Sequence, residues 1–250
     1  MRRWLAWAAG CLLVVEAAAA TTNEVSDAEI EGRHLARQLR QLQPAEDSSL
    51  AGILKLFPSR NKRVEVPMEF QTVVTPTNWQ VAYTASGTNL ENTMSVTIIH
   101  VDDQPNQYRL TRSGQTSVET NAFTLLTGHQ TMIPFAGSDF WLADLGLEFF
   151  HWPKQKILKK ELRSGQSCSV LESTNPDPVA GGYARVVSWI DIDTGGIVYA
   201  EAFDTKGERM KKFEPKALKK VNGQWQLREM VIRNLKTRSR TAIEFDLSNN

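Results

Sequence analysis

The sequence predicts a mainly β (α+β) fold, a strongly curved antiparallel sheet or incomplete barrel of about a dozen strands with helical additions. Three observations lead there. From Gln155 to Leu247 the chain is an unbroken ladder of short strands separated by turn residues. Earlier blocks alternate apolar and polar residues, the period of a strand with one wet face. Between these regions, Phe140, Trp141, Leu142, Leu145, Leu147, Phe149, Phe150 and Trp152 crowd a stretch with no strand period.

The first twenty residues stand apart from this pattern. Arg2 and Arg3 make a basic start, Trp4 to Val15 is apolar, and Ala18-Ala19-Ala20 offers a cleavage site. That is the layout of a signal peptide over residues 1–20, leaving 21–250 as one domain. The apolar run stops at Glu16, short of the roughly 20 residues that span a bilayer, so the mature protein is expected to be soluble. Ala8-Ala9-Gly10-Cys11 offers a lipoprotein-type cut as an alternative. Ala8 stands where a larger aliphatic is usual, and a cut there would waste the apolar residues Leu12 to Val15, so lipid attachment at Cys11 is the less favoured outcome.

Ser26-Asp27-Ala28-Glu29 is a capping box and opens a helix expected over Asp27 to Gln41. Asp27 and Glu29 suit its positive end, Arg37 and Arg40 its negative end, and Pro44 closes it. Ala28, Leu35, Leu39 and Leu42 share one face, which would brace one end of a sheet. Strands follow. Ile53 to Phe57 begins the sheet; Val64, Val66, Met68 and Phe70 alternate against polar partners, as do Trp79, Val81 and Tyr83, then Met94, Val96 and Ile98. Tyr108 to Thr111 continues the series. Pro67 lacks a donor and points to an edge or a bulge.

Residues 112–154 break the rhythm, with an insertion over about 121–154 in which Ser138 is placed to cap a short helix, Asp139 to Leu145. A connection this long inside a compact domain is usually functional. Strands then return at Lys156–Leu162, Ser167–Ser173, Ala184–Asp191, Ile197–Asp204, Arg209–Phe213, Trp225–Asn234 and Thr241–Leu247. Turn sequences part them, among them Ser164-Gly165 and Asn222-Gly223.

Composition excludes several classes. The chain carries 29 basic and 28 acidic residues, and removing Arg2, Arg3 and Glu16 with the leader leaves them in balance. Nucleic-acid binding needs a clustered basic surface and is not expected. Cys168 would be the sole cysteine after processing, so no internal disulfide forms, and its alternation places it on a buried strand face. His34, His100, His129 and His151 have no metal-ligand spacing. No Gly-x-Ser-x-Gly elbow or phosphate-binding loop is present. Asp191 and Asp193 flank a turn, where carboxylates cap backbone amides. Neither catalysis, nor a metal, nor a cofactor is expected. Lys211, Lys212, Lys216, Lys219 and Lys220 form a basic stretch mixed with Glu208 and Glu214, read as solvated strand edge ahead of a membrane-binding surface.

The aromatic stretch admits two readings on residue pattern alone. It fills the sheet as ordinary core, or it roofs a cavity lined by Val66, Met68, Phe70, Trp79, Val81, Met94, Val96, Ile98, Trp141, Leu145 and Phe149. Burial yields about 0.8 kcal/mol per methylene, so an acyl chain of about sixteen carbons would supply on the order of 10 kcal/mol gross.

Four stretches carry a family resemblance: Asp139-Phe140-Trp141-Leu142-Ala143-Asp144-Leu145, Gly165 to Ser173, Val186-Val187-Ser188-Trp189-Ile190-Asp191, and Arg240-Thr241-Ala242-Ile243-Glu244-Phe245. Together they resemble the LolA-like outer membrane lipoprotein-sorting proteins, in a secreted branch. The resemblance implies an unclosed antiparallel β-barrel of about eleven strands with helices forming a lid over its open end. It also implies a periplasmic carrier that holds lipoprotein acyl chains or another lipid and touches the inner and outer membranes transiently. The family's carrier latches its lid with an arginine near its first strands. Arg60, Arg63 and Arg109 are the local arginines, and no latch is carried over to any of them. The resemblance favours the cavity; the alternative is a non-catalytic envelope interaction domain with a solidly packed barrel.

Overall fold

Strict alternation of side chains makes each strand two-faced, and thirteen such strands pair antiparallel into one sheet among the described residues. The computed structural model describes residues 25–60, 62–87, 93–113, 123–221 and 224–247. The segment expected to be a leader, with Cys11, the first residues of the 121–154 insertion and Asn222-Gly223 lie outside the described residues.

The strands are β1 (Ser48–Phe57), β2 (Val64–Val74), β3 (Asn78–Ala85), β4 (Met94–Val101), β5 (Gln107–Arg112) and β6 (Thr124–Leu126). After the long connection come β7 (Lys154–Arg163), β8 (Gln166–Thr174), β9 (Arg185–Asp191), β10 (Ile197–Phe203), β11 (Arg209–Val221), β12 (Gln224–Asn234) and β13 (Ser239–Phe245). Their order across the sheet is β6-β5-β4-β3-β2-β1-β13-β12-β11-β10-β9-β8-β7. First and last strands therefore meet in the middle, with Leu54 opposite Ile243. Strands β6 and β7 are left as free edges, so the barrel does not close. The connection between them has to run from one edge of the sheet to the other.

Local chemistry accounts for the individual elements. At the β7–β8 hairpin, Ser164 and Gly165 both have positive φ (52° and 81°), matching the mirror-image turn that the twist of paired strands favours. Helix α1 (Asp27–Arg40) starts at the Ser26–Glu29 capping box. Its buried residues are Gly32 and Ala36 rather than the leucine face alone, and Leu42 is exposed. A Cβ on Gly32 would stand 2.6 Å from the Lys156 nitrogen, so glycine lets the helix axis approach β7 closely.

Three expectations need correction. Pro67 lies inside an interior strand, paired with Ile53 of β1. Its carbonyl accepts from the Ser86 N–H, so its missing donor faces the side where β3 has ended. Strand β11 continues past Phe213 to Val221, through register shifts at Pro215 and Ala217. Ser138 does not cap a helix from Asp139; helix α2 covers Leu142–Leu145, and the Trp141 N–H donates to Asp144 Oδ2 at 2.8 Å.

The core divides by region. One cluster joins β1–β5 and β13 to the connection, with Leu54, Ile98, Tyr108, Phe135, Phe140 and Leu142 almost fully buried. A second joins β7–β11 to helix α1 and the end of the connection, through Ala36, Phe149, Phe150, Leu171, Ile190 and Met210. A third, smaller cluster holds Cys168, Val170, Val187, Trp189 and Tyr199. The Arg163 guanidinium covers both of its aromatic rings, 4.5 Å from Trp189 and 3.6 Å from Tyr199.

Candidate functional site

Between the connection and the β9–β12 part of the sheet lies a cavity of ≈ 810 Å³, a volume typical of sites for small organic ligands. Side-chain size explains it. Strand β10 contributes Ala200 and Ala202, and Gly195 and Gly196 precede it, so little rises from the floor. Phe213 of β11 and Met230 and Ile232 of β12 form one wall, Val186 of β9 another. Leu145, Leu147 and Phe149 of the connection form the roof. Leu147 and Leu218 line the cavity and remain exposed, marking where it meets solvent.

A polar cluster interrupts this apolar lining. The Lys211 ammonium is almost fully buried, 3.2 Å from Asp144 Oδ2. It also sits 3.6 Å from the centre of the Trp141 ring and 5.1 Å from that of Tyr183. Burial pulls its pKa down to about 8, against the pull of Asp144. Asp144 accepts from the Tyr183 hydroxyl (2.9 Å) and the Trp141 N–H (2.8 Å) as well. Burial and the Asp144 charge push the Tyr183 hydroxyl well above its usual range. Trp141 stacks on Tyr183 with ring centres 4.4 Å apart. The cluster ties α2 of the connection to β11. Lys211 was read as part of a solvated basic stretch. Lys216 and Lys219 are exposed, but Lys211 runs in phase with inward-facing Phe213, and that phase was the available signal.

A second buried cluster lies behind the roof. Glu148 accepts from the Tyr108 hydroxyl at 2.9 Å, and Asn106 Nδ2 donates to the Gly146 carbonyl at 2.8 Å. Burial raises Glu148 to about 7, opposed by the hydrogen bonds that Tyr108 and Asn106 donate to its carboxyl group. Gly146 has no room for a side chain, since a Cβ would stand 2.2 Å from the Tyr108 hydroxyl. Leu147 follows in the left-handed region, with φ 49°. Further polar clips hold the connection: Asp139 accepts from Ser239 and Thr241 of β13, and Gln155 Nε2 donates to the Phe149 and Trp152 carbonyls.

Of the side chains expected to line a cavity, Leu145 and Phe149 face this one. Met68, Phe70, Val81, Met94, Val96 and Ile98 lie in the packed cluster of the β1–β5 region, with Val66 and Trp79 against it. Trp141 lies behind the lining, over Lys211. The reason is volume: the large inward residues of β2–β4 pack with Phe135, Phe140 and Leu142 in one buried cluster. Ala200 and Ala202 were missed because alanine carries little hydrophobic weight, although their alternate spacing within the expected strand Ile197–Asp204 marks a shallow inward face.

The histidines stand away from the cavity. His100 stacks on Trp79 at 3.8 Å and, with His151, borders a cleft of ≈ 10 Å³ beside Arg37 and Arg40, room for about one water. Burial lowers both imidazoles to about 4, with Arg40 and His100 adding to the effect at His151. Among the described residues no cluster of His, Cys, Asp or Glu could hold a metal ion, and no helix is long and apolar enough to cross a membrane.

Comparison with known proteins places this architecture. Residues 119–248 match a family model described as "Uncharacterized protein". No match was found among curated proteins. Solved structures share the fold. A DUF1329 family protein from Desulfovibrio piger has a TM-score of 0.69 at 18% identity, covering 90% of this chain and 96% of its own. A domain described as an outer membrane lipoprotein-sorting protein, from Vibrio parahaemolyticus, scores 0.68 at 18% identity, with coverages of 89% and 94%. A LolA superfamily protein from Nitrosomonas europaea scores 0.58 at 12% identity, covering 88% and 92%.

Proposed function

The chain belongs to the family, described as "Uncharacterized protein", whose model matches residues 119–248, and from that premise we propose that it is a non-enzymatic lipid carrier. Exported by its leader to the periplasm, it holds acyl chains of lipoproteins or of another lipid in the cavity beneath the connection. Loading and delivery take place in transient contact with the inner and outer membranes. The fold shared with the sorting domain supports this reading, and the observation that carries it is the ≈ 810 Å³ apolar cavity.

Binding is hydrophobic and poorly discriminating along the chain, at about 0.8 kcal/mol per buried methylene before ordering costs. Entry and exit require the connection to act as a lid and to part from β11. The solid interior expected of a pure interaction domain describes the β1–β5 region and not the β9–β12 region.

The test is saturable uptake of the neutral fluorophore N-phenylnaphthylamine by delipidated protein. Uptake should be saturable in the wild type and strongly reduced by Ala200→Phe, which fills the floor, in a variant whose circular dichroism is unchanged. Folded wild-type protein that shows no saturable uptake removes the carrier reading.

A further inference from the structure

The cavity is apolar but not electrically neutral. Among the described residues, Lys211 is the one basic residue of its lining, against the acids Asp144, Asp191 and Glu201. Asp191 is held by Thr194, and Glu201 by Tyr199 and Arg209. The Lys211 ammonium is taken up by Asp144, and the Asp139 carboxylate lies near enough to add to the same field. A ligand that brought a further negative charge to this wall would find no free cation to meet it. Burying an uncompensated charge is costly where water is excluded.

A neutral acceptor meets a different site. An ammonium has three N–H donors. One reaches Asp144 at 3.2 Å and the face of Trp141 engages the head at 3.6 Å. Asp144 is served by three donors of its own, from Tyr183, Trp141 and Lys211. Donor capacity at Lys211 thus exceeds what its neighbours accept, in a lining that is mostly apolar.

We infer that the cavity selects acyl chains whose carboxyl group is uncharged, as an ester or amide, over free fatty-acid carboxylates, with the carbonyl oxygen accepting from Lys211. The Asp144 carboxylate repels the ionised acid, and Lys211 serves as the anchor for the neutral carbonyl. Selectivity therefore resides in one ion pair while affinity resides in the alanine-floored groove. This rests on the carrier reading and names the ligand class within it.

The experiment displaces bound N-phenylnaphthylamine at neutral pH with palmitoyl glycerol or with palmitate, using the full mature chain. The wild type should release the fluorophore at about tenfold lower palmitoyl glycerol than palmitate, a difference of about 1.4 kcal/mol. Asp144→Asn should close that gap by about the same factor. In the double variant Asp144→Asn/Lys211→Met, affinity for palmitoyl glycerol should fall about tenfold relative to that variant's own fluorophore affinity. Palmitate binding as tightly as the ester to the wild type overturns the inference. So does a gap unmoved in Asp144→Asn, or an undiminished ester affinity in the double variant, which keeps the test open should the single variant not fold. Failure of the fluorophore itself to bind folded wild-type protein instead removes the carrier reading, and this inference with it.

Discussion

On one side of the sheet, β2–β5 present Met68, Phe70, Met94, Ile98 and Tyr108 inward, and Phe135, Phe140 and Leu142 of the connection fill the space above them. On the other side, β10 presents Ala200 and Ala202, and the same connection leaves ≈ 810 Å³ beneath it. Both regions are apolar and both are covered. What separates them is the summed volume of side chains that face one another, because interiors close-pack wherever facing residues are large enough to touch. Apolarity tells where a core can form; volume tells where one is incomplete.

The largest expected effect comes from breaking the filled side. Phe135 is fully buried, and Phe135→Ala should cost about 3–5 kcal/mol, read as a lower urea midpoint with an unchanged slope. A comparable loss from Leu218→Ala, at the exposed rim of the cavity, would contradict the contrast between the regions.

Next in size is the buried acid behind the roof. The Glu148 pKa in the fold is about 7, above its ordinary 4.5. The fold therefore favours its protonated form; that added stability is complete below pH about 4.5 and is lost as pH rises through about 7. At 1.36 kcal/mol per pKa unit, this is on the order of 3 kcal/mol. His100 and His151, both lowered to about 4, change stability in the opposite sense over part of this window. They are common to wild type and Glu148→Gln, so the difference in melting temperature between the two isolates Glu148. The wild type should lose ground to the variant as pH is raised from 4.5 to 7.

A matched pair of insertions sharpens the comparison. Ala85 is buried in the filled cluster, and Ala85→Leu should overpack it at a cost of about 1–3 kcal/mol. Ala202→Leu projects into the cavity and should be neutral or stabilising while reducing fluorophore uptake. Equal destabilisation by both would mean that the cavity is no easier to fill than the core. The smallest effect lies at the helix, where Ser26→Ala removes the capping serine, at about 1 kcal/mol by thermal melting.

Much of the architecture was legible because strand periodicity is local. Val64 to Phe70, Met94 to Ile98 and Ser167 to Ser173 each declare a strand by their own alternation, and the Ser26–Glu29 box declares its helix. The candidate site was legible in part. Leu145 and Phe149, expected to line a cavity, border the one described, whereas Val96, expected in the same lining, lies in the packed cluster with Trp79 against it. Lys211 was grouped with its exposed neighbours because charge is conspicuous in sequence and the phase of a single residue is not.

What the sequence determined by itself was the set of two-faced strands, the capped helix and the aromatic connection, since each depends on residues within a few positions. Tertiary structure alone decided that β1 pairs with β13, leaving β6 and β7 as edges that the connection must bridge. It alone decided that Ala200, Ala202 and Lys211 share a cavity with Leu145 and Phe149. Strand partnership and unfilled volume arise from residues distant in sequence, and no window along the chain contains both sides of the gap.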